Sequence, residues 1–102
     1  MEINVNMNVP YDYFLDMFCG MYMENISYAI DFRRENCRYV AVMHRMRNII
    51  RQVMDDAKLN VLRQDVEKYT NTKIVYSEMN VNCLAFVETL KFFELKILGF
   101  NS

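Results

Sequence analysis

The chain has 102 residues, 53% of them apolar and 25% charged, with a net charge of −1 at pH 7. That length is expected to form one domain, and that composition is globular rather than disordered. Near-neutral charge argues against a general polyanion binder, two glycines cannot build a Gly-rich phosphate loop, and no apolar run approaches the roughly 18–20 residues of a membrane span.

Ile3, Val5, Met7 and Val9 alternate with Asn4, Asn6 and Asn8, the pattern of a half-buried strand. Pro10 ends it and suits the start of a helix, with Asp12 where the helix dipole favours an anion. From Tyr11 to about Met23 the spacing predicts a helix whose inner face is Phe14, Met17, Phe18 and Met21. Gly20 and Asn25 are break points, so Ile26–Phe32 reads as a second segment or as the same helix bent. The polar run Asp31–Asn36 fits a connection.

Six of the seven arginines then fall between Arg33 and Arg51, with Glu35 the one acid among them. Over 36–56, Tyr39, Met43, Met46, Ile50, Val53 and Ala57 recur at helical spacing and form one apolar seam. Arg38, Arg45 and Arg51 lie opposite it, with His44, Asn48, Gln52 and Asp55. The seam fails after Ala57, and Leu59, Leu62, Val66 and Tyr69 begin a new stripe on nearly the opposite side. A turn near Asp55–Asn60 explains the change. Thr70-Asn71-Thr72 reads as a break, and Lys73-Ile74-Val75-Tyr76, β-branched and aromatic, reads as a short strand. Ser77 or Asn80 caps a last helix running from Met79 to about Leu98, with Gly99 as its stop. Its Cys83, Phe86, Leu90, Phe93 and Ile97 make one apolar face and Leu84, Phe92, Leu95 and Leu98 much of another. Such a helix is buried in its own domain, or packs on its domain and a partner at once.

The expected fold is mainly α, one domain over 1–102 with four or five helices. A minor β element joins the N-terminal strand to residues 73–76, or adds the N-terminal strand to another chain's sheet.

Catalytic constellations are scarce. His44 and Cys37 are seven residues apart on a helix, about 10 Å along its axis, too far for a nucleophile–base pair. Cys19 and Cys83 sit among apolar residues, where a thiol is ordinarily inert packing. The three cysteines and one histidine include no short chelating pair for zinc. Asp12 and Asp16 share a helical face but have no companion ligand. No catalytic residue, metal site or cofactor is therefore expected. The start has neither a basic, apolar signal pattern nor an acylation site after the initiator, and the cysteines form no disulfide pattern, so an intracellular protein is expected. Asn25-Ile26-Ser27 matches a glycosylation sequon but reads as chance in that setting. In its compactness and its asparagine and methionine content the chain resembles a small viral open reading frame.

These residues predict a non-enzymatic interaction or structural module, oligomeric or a subunit of a complex, with protein as its partner and neither membrane nor small-molecule substrate. The interface is expected at Leu84, Phe92, Leu95 and Leu98. Arg33, Arg34, Arg38, Arg45 and Arg51 form a basic face for an acidic partner, since arginine without lysine suits carboxylate pairing. The alternative is a small nucleic-acid-binding accessory factor gripping phosphates with the same arginines.

Overall fold

The computed structural model describes residues 10–34, 47, 50, 51, 57–77 and 80–93, and there the chain is mainly helical. The Pro10 carbonyl accepts the first helical hydrogen bond, from the Phe14 N–H at 3.0 Å. Helix α1 then runs without interruption from Tyr11 to Arg34, with Asp12 in its first turn. Gly20 does not break it. Asp31–Arg34, expected in a connection, form its last turn, where the dipole favours arginine. A charged run suits the end of a helix as well as it suits a loop, so polarity alone did not mark the boundary.

Helix α2 spans Ala57–Thr70 and helix α3 spans Val81–Phe92. Three helices and no strand are found among the described residues. The helix expected over 36–56 is seen only at Arg47, Ile50 and Arg51, whose backbone is helical. The expected strand Ile3–Val9 and the stop at Gly99 lie outside the described residues.

Lys73–Tyr76 has no regular secondary structure and is not a strand. Its backbone groups are taken by side chains instead of a ladder: Ile74 N–H donates to Glu67 Oε2 at 2.6 Å, and Asn82 Nδ2 donates to the Lys73 carbonyl at 2.9 Å. The break before it is as expected and has a clear cause. Asn71 takes a left-handed conformation, φ 53°, and the Thr72 N–H donates back to the Glu67 carbonyl at 3.2 Å. That six-to-one bond closes the C-terminus of α2, and asparagine tolerates the left-handed position better than most residues.

Asn80 caps α3. Its side-chain oxygen accepts from the Cys83 N–H at 2.8 Å, which satisfies a helix N–H that has no partner within the helix. Asn80→Ala is expected to cost about 1 kcal/mol, read as a lower urea midpoint with unchanged slope. At the other end α3 stops at Phe92, short of the Leu98 that the apolar pattern suggests. Phe93 leaves helical geometry at φ −81°, ψ 0°, and its ring lies 5.5 Å from Phe14 and 5.7 Å from Phe18. Packing of that ring, rather than a glycine, sets the end.

The core joins Phe14, Phe18, Cys19 and Tyr22 of α1, Leu59, Leu62 and Val66 of α2, Ile74, and Cys83–Val87 with Leu90 of α3. Ile50 belongs to it as well, so one member of the predicted seam faces inward. The inner face of α1 is turned from the one expected. Tyr22 and Cys19 are buried, whereas Met17 and Met21 are only half-buried. Tyr22 can go inward because its hydroxyl has a partner. Tyr22 and Thr72 share a hydrogen bond of 2.8 Å, Thr72 and Thr70 another of 2.8 Å, and Thr70 Oγ1 donates to the Val66 carbonyl at 2.6 Å. Since the single Thr70 proton goes to Val66, the protons run in order from Tyr22 through Thr72 to Thr70.

Candidate functional site

The predicted interface residues divide. Leu84 is 4% exposed and belongs to the core, which corrects its place on an outer face of the last helix. Nearly the whole of Cys83–Leu90 is buried within this one chain, so α3 is the central helix of the fold and the Leu84 part of its second apolar side is covered by its own chain. Phe92 is 62% exposed and meets Phe93 edge-on at 5.3 Å, joining the surface to the core aromatic cluster. Glu88 and Lys91, one turn apart and both exposed, form a long ion pair of 3.7 Å beside it. Leu95 and Leu98 lie outside the described residues.

The basic face divides as well. Arg51 and Arg47 are exposed on helical backbone while Ile50 between them is buried. Arg33 and Arg34 are the last residues of α1 rather than part of a loop. Arg38, Arg45 and His44 lie outside the described residues.

The groups weighed for chemistry are held in structural roles. Cys19 and Cys83 are buried free thiols, and burial pushes each up to about 11 from an ordinary value near 9. A thiol so raised stays protonated at neutral pH and is a poor nucleophile. Cys37 lies outside the described residues. Asp16 accepts a hydrogen bond from the Tyr69 hydroxyl, and Tyr11 donates to Asp65 Oδ2 at 2.5 Å, so two tyrosine–aspartate bonds cross between α1 and α2. They explain why Tyr69, expected in the inner stripe of α2, stands at its exposed edge. No group of three or more His, Cys, Asp or Glu among the described residues is placed to hold a metal ion. The Asn25 amide donates to the buried Thr89 hydroxyl at 3.0 Å, which in turn donates to the Ala85 carbonyl at 2.7 Å. The asparagine of the sequon is therefore engaged against α3. No described helix is long and apolar enough to cross a membrane.

On α2, Arg63 pairs with Glu67 at 2.8 Å and lays its guanidinium over the Tyr76 ring, 5.3 Å from the centroid. Glu67 also holds Ile74, so this cluster fastens the α2–α3 connection. The Tyr76 hydroxyl itself is buried without a hydrogen-bond partner among the described residues, and burial raises it to about 12.

Residues that the sequence reading passed over lie on the outer side of α1. Tyr13, Met23, Glu24, Tyr28, Ile30 and Asp31 are all exposed there. The signal that marks them is in the sequence: no lysine or arginine occurs before Arg33.

Fold and surface together define a small, mainly helical domain with a closed core and exposed aromatic and charged faces. Comparison with protein-family models, curated proteins and solved structures finds no match.

Proposed function

We propose that this chain is a non-enzymatic protein-interaction module, working as an oligomer or as a subunit of a complex. The observation that supports this reading is Phe92, a large aromatic at the exposed end of the central helix whose ring continues into the core cluster. A partner that covers Phe92, together with Leu95 and Leu98, removes apolar surface from water against a rigid support. The arginines contribute orientation and encounter rate more than affinity.

At about 0.5 M salt, where charged contacts are screened, Phe92→Asp is expected to dissociate the assembly while the far-ultraviolet circular dichroism and melting temperature stay near wild type, because an exposed side chain carries little of the fold. Light scattering reads the mass. A folded Phe92→Asp protein with the wild-type mass removes the basis of this reading.

A second reading is a nucleic-acid accessory factor using Arg33, Arg34, Arg38, Arg45 and Arg51. It is favoured by one observation, the outward placement of Arg47 and Arg51 around buried Ile50. It requires binding to a short mixed-sequence oligonucleotide that weakens steeply with salt, with a slope that shrinks as arginines are replaced. Salt-independent or absent binding counts against it.

A further inference from the structure

We infer that the outer face of α1 is a docking surface for the arginine-bearing face of a second copy of this chain. Charge is segregated along the sequence. Residues 1–32 contain five acids and no lysine or arginine, and residues 33–51 contain six arginines and one acid. The net charge of −1 is thus a cancellation between two strongly opposite segments.

Helix α1 carries the acidic side outward. Asp12, Glu24 and Asp31 are exposed and enter no ion pair among the described residues. A long surface helix commonly sets cations three or four residues from its acids. The only cations of α1 are its last two residues, Arg33 and Arg34. Tyr13, Gly20, Glu24, Ser27 and Asp31 step by 7, 4, 3 and 4 along one stripe, all of them exposed. Met23 and Ile30 border it on one side and Tyr28, 71% exposed, on the other. At Gly20, midway along, an added Cβ would meet nothing within 4 Å. Among the described residues nothing packs on the bare backbone there, so a partner surface can approach it closely.

The complementary surface is on the same polypeptide. Arg51 is exposed and enters no ion pair among the described residues. Arginine in preference to lysine fits a carboxylate face, because its planar fork binds carboxylate with two hydrogen bonds. A net charge close to zero does not hold copies apart. In a two-fold dimer the contact is made twice, α1 of each copy against the arginines of the other. This inference rests on the reading of the chain as an interaction module and not on Phe92.

Charge reversal tests it. Light scattering reads the mass of four samples at about 0.05 M and about 0.5 M salt, on either side of strong screening. They are the wild type, Glu24→Lys/Asp31→Lys, Arg51→Glu, and an equimolar mixture of the two variants. The same set is repeated with Phe92→Asp added throughout.

In the Phe92→Asp background the unreversed chain is expected to associate at low salt and to lose that association at high salt, and with Phe92 intact the same salt-sensitive association adds to the mass that persists at high salt. Each reversed variant alone is expected to associate at least about tenfold more weakly. The mixture sets the two introduced lysines of one chain against the introduced glutamate of the other, and it recovers the mass. An unreversed chain with no salt-sensitive association overturns the inference. So does a mixture that stays monomeric, because acids and arginines then belong to different contacts. Association that resists salt and disappears with Phe92→Asp alone overturns it while leaving the Phe92 reading intact. Circular dichroism confirms folding, and the neutral variants Glu24→Gln/Asp31→Asn and Arg51→Gln replace any reversed variant that misfolds. Neutral variants that associate like wild type also overturn it.

Discussion

Phe86→Ala is expected to lower stability by about 3–5 kcal/mol, the largest loss from any single truncation in α3. Phe86 is fully buried and sits edge-on to Phe18 at 5.6 Å. Phe18 in turn contacts Phe14 at 5.7 Å and stacks on Phe93 at 5.7 Å. Removing the Phe86 ring therefore takes away the edge that fixes the angle of Phe18, and the cavity lies where α1 crosses the central helix. Leu90, Val87 and Leu62 belong to the same core cluster and are all fully buried, so the core has little room to collapse. Against a total of roughly 5–15 kcal/mol for a domain of this kind, the loss consumes much of the stability. At about 4–8 °C per kcal/mol the melting temperature falls by tens of degrees. Phe92→Ala, six residues on along the same helix, is expected to change it by less than about 0.5 kcal/mol, because its ring is mostly in water. Urea titration of the two variants side by side checks this. Equal losses would mean that the ring cluster does not divide at Phe93.

The contrast between those two phenylalanines also shows what a sequence can and cannot tell. The apolar pattern of the last helix marked Phe86 and Phe92 alike, on two faces, and left open whether the second face met its own domain or a partner. Burial of Leu84 settles that for the middle of α3, and no periodicity held the answer, because a helix apolar all round looks the same in either setting. Leu59, Leu62 and Val66 were legible because polar residues surround them. The same holds for the Thr70–Thr72 break and the Asn80 cap, where the chemistry is local. In α1 the reading held for Phe14 and Phe18 but not for Met17 and Met21, whose places in the core are taken by Cys19 and Tyr22. Aromatic and methionine residues occur nearly all round its first four turns, so the choice fell to polar partners far along the chain, Thr72 for Tyr22 and Thr89 for Asn25. Lys73–Tyr76 failed as a strand for a related reason. Residue preference can favour an extended backbone, but a ladder needs a second strand, and Glu67 and Asn82 supplied the hydrogen bonds first.

The candidate surfaces were legible in part on the same terms. Clustered arginines and a buried Ile50 follow from spacing. The acidic side of α1 is a matter of what its first turns lack, and it became visible as a surface only once the helix was seen to continue through Gly20 and Asp31. Continuity places Glu24 and Asp31 on one stripe. With a break at Gly20 or Asn25 they would have had no fixed relation.

Raising the pH from 8 to 11 is expected to unfold the protein. Burial pushes Cys19 and Cys83 up to about 11, from about 9, and Tyr22 up to about 12, from about 10. All three side chains are at most 2% exposed. A folded-state value above the unfolded one means that the folded chain keeps protons the unfolded chain has released. Stability is then complete below pH 9, falls as the pH passes the unfolded values, and is lost by the time it passes the folded ones. Near pH 10 the two thiols alone give a slope of about −2 kcal/mol per pH unit, and Tyr22 steepens it above that. Tyr69 and Tyr11, both raised, add in the same direction, since each hydroxyl must keep its proton to hold Asp16 or Asp65. The urea midpoint measured at half-unit steps is the check. Cys83→Ala should flatten the slope by about 1 kcal/mol per unit, one titrating group's share, even though it lowers the midpoint at pH 7. A midpoint that holds level to pH 11 would show that the thiols are reached by water in the folded chain. The central helix would then not be sealed on the side that faces α1.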